Sequence, residues 1–489
     1  MDEELRWTDG VGTARLVRAG DRAATEVVAA ALERIDHLNP LLNAVCWRSF
    51  ERAAEQAAGW DRRRASGDPA DLPTFAGVPL LLKDALGHLP GDRITYGSRW
   101  LVRHDWRASD TSAVAGRLVA AGTCVAGRTT CPELLLGDTT EPLAHGPVRN
   151  PWDPARTPGG SSGGAAAAVA AGLVPIAHGN DTGGSLRIPA SLCGLVACKP
   201  TRGRVPADPL SGGFSLLLAE GVLGRSVRDV AAGLDVISGP GPASLLGGGL
   251  PVAAPTEATD AVERRTGDPR RVAVLTTDAD GSPLDPATAD AVVRTGSLLA
   301  DLGHDVETVE AAALGLTAFD EITFGLFPAL VAADVRRWSR VLREDPGPDD
   351  LEPYVHQLVE LGSISTAADL AVVLDRLGDL TRRTSERWDG IDVLLTAATP
   401  RPAPELDHYD RGDSMTSFLA ATELGSLTGW VNQTGQPAVA VPIGWTPDGL
   451  PIGGQVVGRH GDDVQLLALA ADLEVANPWD DRRPPSTGA

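Results

Sequence analysis

Two glycine- and serine-rich segments constrain this chain more than any other feature. Residues 157–164 contain four glycines around two serines, and residues 179–189 contain the run Gly183-Gly184-Ser185. Glycine is favoured where the backbone turns tightly or another group approaches closely. A flexible linker has a similar composition, but here an alanine run at 165–168 and an apolar run at 173–177 follow the first segment. We therefore interpret both segments as packed loops of a folded core.

The second segment offers a place for negative charge. Successive backbone N–H groups around two glycines can point into one space, and such a nest suits a developing oxyanion. Ser185 directly follows the two glycines, so its hydroxyl belongs to the same loop as those N–H groups. The pattern predicts an anion-stabilising nest beside Ser185.

Lysine is almost absent from the chain. Only Lys83 and Lys199 occur among 43 basic residues, which leaves 41 arginines. Lys83 ends the apolar run 78–82, where burial would lower its pKa, whereas a guanidinium would stay charged. A GC-rich genome would also reduce lysine, so either lysine alone carries little weight. Lys199 ends another strand-like run, and we interpret it as structural.

Other chemistries of glycine loops fit less well. Residues 159–164 resemble the start of a phosphate-binding loop, but Ala165-Ala166 stands where Lys-Ser/Thr is required, and no dinucleotide-binding fingerprint occurs. The same run matches the G-x-S-x-G elbow of α/β-hydrolases, although turn-forming residues rather than a strand precede it. This alternative would make Ser161 the nucleophile, with a distant histidine such as His408 or His460 as its base.

Together these motifs resemble the amidase signature family. The resemblance rests on four stretches: Lys83 and residues 159–164, 181–189 and 194–206. It implies an α/β fold in which helices cover both faces of a large mixed β-sheet (α/β/α). It also implies hydrolysis of amide bonds without a cofactor. Within the family, residues 178–181 and 199–204 look most like the nylon-oligomer (6-aminohexanoate cyclic dimer) hydrolase branch.

The resemblance implies a Ser–cis-Ser–Lys triad. Ser185 would be the nucleophile that forms an acyl-enzyme, and Lys83 would be the base, neutral at rest. Ser161 would relay the proton between them, its hydroxyl held by a cis peptide bond with Gly160. The oxyanion hole would consist of backbone N–H groups, those of Thr182, Gly183, Gly184 and Ser185.

Further residues are expected to support the triad or to line the substrate pocket. Ser162 would join the hydrogen-bond network, and Asp181 would pair with Arg187 to fix the nucleophile loop. The expected pocket residues are Tyr96, Leu134, Leu135, Leu136, Gly137, Phe324, Phe327, Trp430 and Asn432. Two of these, Phe324 and Phe327, would share one face of a helix, although core packing gives the same pattern. A linear or cyclic oligoamide, an aryl amide, a carbamate or an ester would all be compatible.

The composition argues against several classes of protein. A net charge of −22 without a basic block disfavours nucleic-acid binding. The acidic N-terminus and the lack of a long uninterrupted apolar run predict neither a signal peptide nor a membrane span. Five scattered cysteines fit a reducing cytoplasm, and neither they nor the dispersed histidines have metal-site spacing. We expect a cytoplasmic enzyme without metal or cofactor, a monomer or homodimer acting on a small or oligomeric amide.

Two functions of other classes stay open. An A-type subunit of a glutamine-dependent tRNA amidotransferase uses the same fold to release ammonia to a partner, but the segment after residue 201 does not resemble that branch. A catalytically dead binding protein would not need all three triad positions to be filled.

The chain divides into five stretches. We expect an N-terminal helical segment (1–70), a signature core (71–238), a connecting loop (239–268), a second half that completes the same sheet and supplies pocket walls (269–480), and a disordered tail (481–489). Alternating strand-like and helical runs indicate the layered α/β fold. Asp21 is the expected N-cap of a helix that begins near Ala23.

Overall fold

A mixed β-sheet runs through the whole molecule. The computed structural model describes residues 2–241, 256–265, 268–409 and 414–485. The strands among these residues are β1 (Val45–Arg48), β2 (Pro79–Lys83), β3 (Cys124–Thr129), β4 (Ile176–Asp181), β5 (Val196–Lys199), β6 (Ala219–Gly224), β7 (Arg271–Val274), β8 (Asp305–Thr308), β9 (Val393–Ala397), β10 (Ala438–Trp445) and β11 (Pro451–Gly458). They lie side by side in the order β1-β3-β2-β4-β6-β5-β10-β11-β9-β7-β8.

Parallel pairing is confined to two places in this sheet. Strand β2 lies between β3 and β4, and β7 lies between β8 and β9, all parallel. The remaining pairs are antiparallel. Strand β10 pairs with β5 so that Ala438 is opposite Lys199 and Ala440 is opposite Ala197. This pairing joins the second half of the chain to the first.

Helices follow or precede most strands. They are α1 (Glu3–Trp7), α2 (Gly10–Ala19), α3 (Ala24–Leu42), α4 (Phe50–Ser66), α5 (Arg99–His104), α6 (Ala113–Ala120), α7 (Gly163–Ala170), α8 (Arg187–Cys193), α9 (Val227–Ile237), α10 (Glu257–Arg264), α11 (Pro286–Asp301), α12 (Ala311–Leu314), α13 (Asp320–Leu342), α14 (Pro353–Ile364), α15 (Ala367–Arg387), α16 (Ser414–Ala421), α17 (Gly429–Thr434) and α18 (Asp463–Ala476).

The central strands are buried on both faces. In β2, Leu80 and Leu82 pack into a core with α9 and α18, whereas Leu81 packs into a second core with α3, α4 and α7. Alternate side chains of a strand point to opposite faces, so these two cores lie on the two sides of the sheet. Every residue of the alanine-rich α7 is buried. The expected α/β fold, with helices on both faces of a mixed sheet, is confirmed.

Three features differ from the sequence expectations. The predicted connecting loop contains α10, which packs against α9 and α18; residues 242–255 and 266–267 lie outside the described residues. The predicted disorder is wrong for residues 481–485, since Arg482 and Arg483 lie over indole rings of the folded chain, and 486–489 lie outside the description. Asp21 does not cap α3, because Asp61 of α4 accepts the first N–H groups of that helix.

Within the described residues, one straight helical segment is long and apolar enough to cross a membrane by length and composition alone, and the bent pair of α14 and α15 passes the same test only if it is counted as one span. The straight segment is Leu316–Leu342, which includes α13. In the structure α13 packs against α14 and α15, and it buries Ile322, Val331 and Trp338. Core helices of soluble proteins meet the same criterion, so the segment does not by itself indicate a membrane protein.

Candidate active site

Lys83 lies at the end of β2, between β3 and β4, and is completely buried. Its Nζ is 2.7 Å from Ser161 Oγ, 2.9 Å from Ser162 Oγ and 2.8 Å from Asn180 Oδ1. Burial lowers the pKa of Lys83 to about 8, although nearby acidic groups oppose the shift. The amine is therefore held among three polar partners and is readily deprotonated.

The first glycine-rich segment delivers the two serines to this amine. The peptide bond between Gly160 and Ser161 is cis. A side chain at Gly160 would collide with the carbonyl of Thr139. A Cβ at Gly164 would lie 2.5 Å from the carbonyl oxygen of Thr130, at the end of β3. The glycines thus allow α7 to start directly against neighbouring backbone.

The second segment is the turn from β4 to α8 and carries Ser185, which is 7% exposed. The N–H of Ser162 donates to the carbonyl of Ser185 at 3.2 Å, so the two glycine-rich loops are in direct contact. The structure brings Lys83, Ser161, Ser162 and this loop together, although they lie far apart in the sequence.

Three of the four amides expected in the oxyanion hole are available. In the described part of the chain, the backbone N–H groups of Thr182, Gly183 and Ser185 have no protein acceptor, and a Cβ at Gly183 would meet open space. The N–H of Gly184 instead donates to Asp181 Oδ1 at 2.8 Å. The expectation for Gly184 is therefore wrong, because that amide already holds the loop in shape.

Asp181 and Arg187 form the buried ion pair that fixes this loop. Nε and Nη2 of Arg187 donate to the two carboxylate oxygens at 3.0 and 2.9 Å. Burial alone would raise the pKa of Asp181, but the guanidinium lowers it to about 2. Arg187 also donates to Asn432 Oδ1 at 2.7 Å and to Gln455 Oε1 at 2.9 Å. The second half of the chain thus anchors the loop.

Replacing Asp181 by asparagine should lower the free energy of unfolding by about 3–5 kcal/mol, because Arg187 would keep a buried charge without its partner. Urea unfolding at neutral pH measures the loss. Asp379→Asn removes a carboxylate from an exposed ion pair on α15 and serves as the matched control. We expect no change in its unfolding midpoint. Equal urea midpoints for Asp181→Asn and Asp379→Asn would show that the Asp181–Arg187 ion pair does not stabilise the loop.

A largely apolar cavity that is partly open to solvent adjoins the loop at Thr182. Five of the expected pocket residues line it: Tyr96, Leu134, Leu135, Leu136 and Phe327. The remaining walls were not predicted from the sequence, and they are Leu86, Leu210, Ser211, Phe214, Leu218 and Asp334. Most of these come from segments outside the glycine-rich motifs, which gave no signal for them.

Four expected pocket residues lie elsewhere. Phe324 is 62% exposed on the outer side of α13, and Trp430 is buried in the core. The amide of Asn432 donates to Asp181 Oδ1 at 2.9 Å and so stabilises the nucleophile loop. The carbonyl of Gly137 lies against Gly160 rather than among the cavity walls. Both phenylalanines lie on one helix as expected, but the expected shared face is wrong, because only Phe327 faces the cavity.

The two histidines proposed for the elbow alternative make no hydrogen bond to Ser161 in the described part of the chain. His408 Nε2 lies 3.2 Å from Arg401, and within the described residues neither His408 nor His460 hydrogen-bonds a serine. The side chain that contacts Lys83 and that the sequence did not indicate is Asn180. Its carbonyl oxygen accepts from the Lys83 amine at 2.8 Å.

One group of side chains has the composition of a metal site. Cys46, Asp84 and His145 bring one potential ligand atom each within 4.8 Å of one another. The carboxylate of Asp84, however, accepts hydrogen bonds from the N–H and the hydroxyl of Thr95 and lies 3.7 Å from the guanidinium of Arg128. We assign this group a structural role in the turn after β2.

Comparison with known proteins agrees with this architecture. The Amidase family model matches residues 26–467. A 6-aminohexanoate-cyclic-dimer hydrolase from Paenarthrobacter ureafaciens is 37% identical over 492 aligned residues, 98% of this chain and 96% of that enzyme. The structure of a 6-aminohexanoate cyclic dimer hydrolase complexed with substrate matches with a TM-score of 0.92 and 34% identity, covering 99% of this chain and 100% of the other. A bacterial aryl acylamidase matches with a TM-score of 0.87 and 25% identity over the whole of both chains. The chain therefore belongs to the amidase signature family and is an amidase that acts on C–N bonds other than peptide bonds.

Proposed function

We propose that this amidase hydrolyses small or oligomeric amides through an acyl-enzyme, with Ser185 as nucleophile, Ser161 as proton relay and Lys83 as base. The observation that carries the proposal is the completely buried Lys83 amine, 2.7 Å from the hydroxyl of Ser161. Lys199 is also buried with a lowered pKa, but its Nζ donates to the backbone carbonyl of Pro200. Lys83, by contrast, faces the hydroxyl of Ser161. It is suited to accepting a proton near neutral pH.

The hydrogen-bond partners of Lys83 can be satisfied by the neutral amine that the mechanism requires as well as by the ammonium. Asn180 Oδ1 is a carbonyl oxygen and can only accept from it. The hydroxyl of Ser162 donates to the backbone carbonyl of Asn180 at 3.2 Å, so its oxygen is also an acceptor for Lys83. The two N–H groups of a neutral Lys83 amine would donate to these two acceptors. The nitrogen lone pair would then accept a hydrogen bond from the hydroxyl of Ser161.

The proposed reaction runs in balanced steps. Ser185 Oγ attacks the substrate carbonyl carbon while its proton passes to Ser161 and the proton of Ser161 passes to Lys83. The amides of Thr182, Gly183 and Ser185 would stabilise the oxyanion. Collapse of the tetrahedral intermediate breaks the C–N bond, and the amine leaves with the proton returned through Ser161. A water molecule then hydrolyses the acyl-enzyme by the same route.

The apolar cavity favours substrates with an apolar portion next to the amide. We propose a linear or cyclic oligoamide or an aryl amide as the substrate, with carbamates and esters as further possibilities. The named activities of the similar proteins, a cyclic-dimer hydrolase and an aryl acylamidase, support this choice. They do not favour the amidotransferase alternative. We further propose a cytoplasmic monomer or homodimer that needs no cofactor.

Turnover of three substrates tests the proposal. We expect the purified enzyme to cleave 4-nitroacetanilide and the cyclic dimer of 6-aminohexanoate with kcat/KM at least about 100-fold above that for glutamine, because the cavity walls are apolar. Released amine is measured for the first two and ammonia for the third. Ser185→Ala is the control for contaminating activity. Preferred release of ammonia from glutamine would overturn the proposal in favour of the amidotransferase.

A further inference from the structure

One wall of the cavity beside Thr182 carries a carboxylate. Asp334 of α13 lines the cavity and is 9% exposed. Its partner is Arg337, one turn further along the helix, whose Nε and Nη2 lie 3.1 and 2.6 Å from Asp334 Oδ1. A charged group at this position is unusual, since leucine and phenylalanine side chains form most of the wall.

The carboxylate of Asp334 has spare capacity to accept hydrogen bonds. Both of its hydrogen bonds to described residues go to Oδ1, so Oδ2 has no protein donor among them. Burial raises the pKa of Asp334, and Arg337 counteracts that rise. Oδ2 is not among the fully buried atoms that lack a partner, so solvent or a ligand in the cavity can reach it and donate a hydrogen bond.

Two features of the cavity therefore indicate which portion of the substrate it would bind, on one side of the amide that is cleaved. Its leucines and phenylalanines suit an aliphatic chain, and Asp334 suits a hydrogen-bond donor on that chain. Resting on the proposed function, we propose that the cavity binds one arm of the substrate as an apolar chain whose far end carries an N–H group, an amide or an ammonium, donated to Asp334. A substrate with two nitrogen functions joined by methylene groups has this character.

The test compares substrates that differ only at the end of that arm. Three series of 4-nitroanilides carry alkanoyl, ω-acetamidoalkanoyl or ω-aminoalkanoyl groups, each with about four, six or eight carbons. A second set places the same ends on the amine portion of N-alkyl acetamides. For the wild type we expect kcat/KM to favour the N–H-terminated compound over the alkyl compound of equal length by about 10-fold or more, in one of the two sets.

Variants of α13 assign that preference to Asp334. In Asp334→Asn the ratio of kcat/KM between ammonium-terminated and alkyl substrates should fall by about 10-fold or more, because the charge that strengthens the hydrogen bond is lost. Glu321→Gln is the matched control, since Glu321 is an exposed carboxylate on the same helix, paired with Arg376. Its ratio should equal that of the wild type. An unchanged ratio in Asp334→Asn, or no wild-type preference in either set, would overturn the inference.

Binding measurements separate this inference from the proposed function. Calorimetry with the Ser185→Ala variant compares hexanamide with 6-acetamidohexanamide, so no chemical step is involved. Tighter binding of the acetamido compound, lost when Asp334→Asn is added, supports the subsite even if wild-type turnover is absent. Equal binding of both compounds contradicts the subsite, whereas absent turnover with retained discrimination contradicts only the proposed function.

Discussion

Replacing Ser185 by alanine should lower kcat for 4-nitroacetanilide by at least about 10⁴-fold, because no other group would form the acyl-enzyme. Ser161→Ala should lower kcat by a comparable factor, because removing one member of a catalytic unit costs about as much as removing the whole unit. Ser297→Ala is the matched control, because that exposed hydroxyl donates only to a carbonyl of its own helix. Release of 4-nitroaniline measures all three. Near-wild-type turnover by Ser185→Ala would exclude Ser185 as the nucleophile.

Covalent labelling identifies the nucleophile independently of kinetics. A fluorophosphonate bonds to an activated serine, and peptide mass spectrometry should place the adduct on the peptide that carries Ser185. An adduct on Ser161, with turnover lost in His408→Ala or His460→Ala, would instead favour the α/β-hydrolase elbow. Since neither histidine hydrogen-bonds a serine in the described structure, we expect both variants to keep their activity.

The sequence predicted which residues meet at the site, but it did not predict which of their backbone N–H groups already have a hydrogen-bond acceptor. Lys83 and Ser161 were expected to interact, and they lie 2.7 Å apart. The sequence also supplied four candidate oxyanion donors, but a sequence does not show which amides already have an acceptor. Only the structure shows that Asp181 takes the N–H of Gly184. Competition between internal and substrate hydrogen bonds depends on three-dimensional geometry.

The fold was predictable where segments are buried on both faces. The apolar runs at 78–82 and 173–177 indicated the strands β2 and β4, because a strand buried on both faces of such a sheet needs no polar side. Strand β8 was not predicted, since it is a short edge strand whose residues are mostly exposed and include acidic side chains. The cap of α3 was also missed, because its acceptor, Asp61, lies on a different helix.

The pocket was the least predictable part. Helical periodicity groups residues by face, but it does not show which face turns towards a cavity. Phe327 lines the cavity while Phe324, three residues earlier, is 62% exposed. Asp334, two turns later on the same helix, is charged, whereas helical periodicity is detected from apolar side chains alone. Its place in the wall follows from how α13 packs, which involves residues distant in the sequence.

Replacing Lys83 by arginine should lower kcat/KM by about 10²–10⁴-fold, as should Lys83→Met. Arginine keeps the positive charge but cannot become neutral, so it cannot accept a proton from Ser161. Arg382→Lys, an exposed exchange between the same two residue types on α15, is the control. Rates with 4-nitroacetanilide, which carries no titrating group, measure the effect. Wild-type turnover by the arginine variant would remove Lys83 as the base.

The pH dependence of the wild type tests the protonation state of Lys83. Because burial lowers the pKa of Lys83 to about 8, the neutral fraction of this amine at pH 6 is about 10²-fold smaller than above pH 8. The proposed mechanism uses only the neutral amine. We therefore expect kcat/KM to rise with pH up to about 8 and then to level off. A rate that is already constant from pH 6 upwards would contradict this assignment.

The lowered pKa of Lys83 should also be visible in stability. The unfolded chain keeps this amine protonated up to about pH 10.5, whereas the folded chain loses the proton near pH 8. Below pH 8 both states carry the charge, and its burial destabilises the folded state by about 3 kcal/mol. As the pH rises from 8 to 10.5 this penalty disappears, so the wild type should gain that amount relative to Lys83→Met. A difference in unfolding free energy that stays constant over this interval would show that Lys83 titrates normally, and the proposed base would then lack its physical basis.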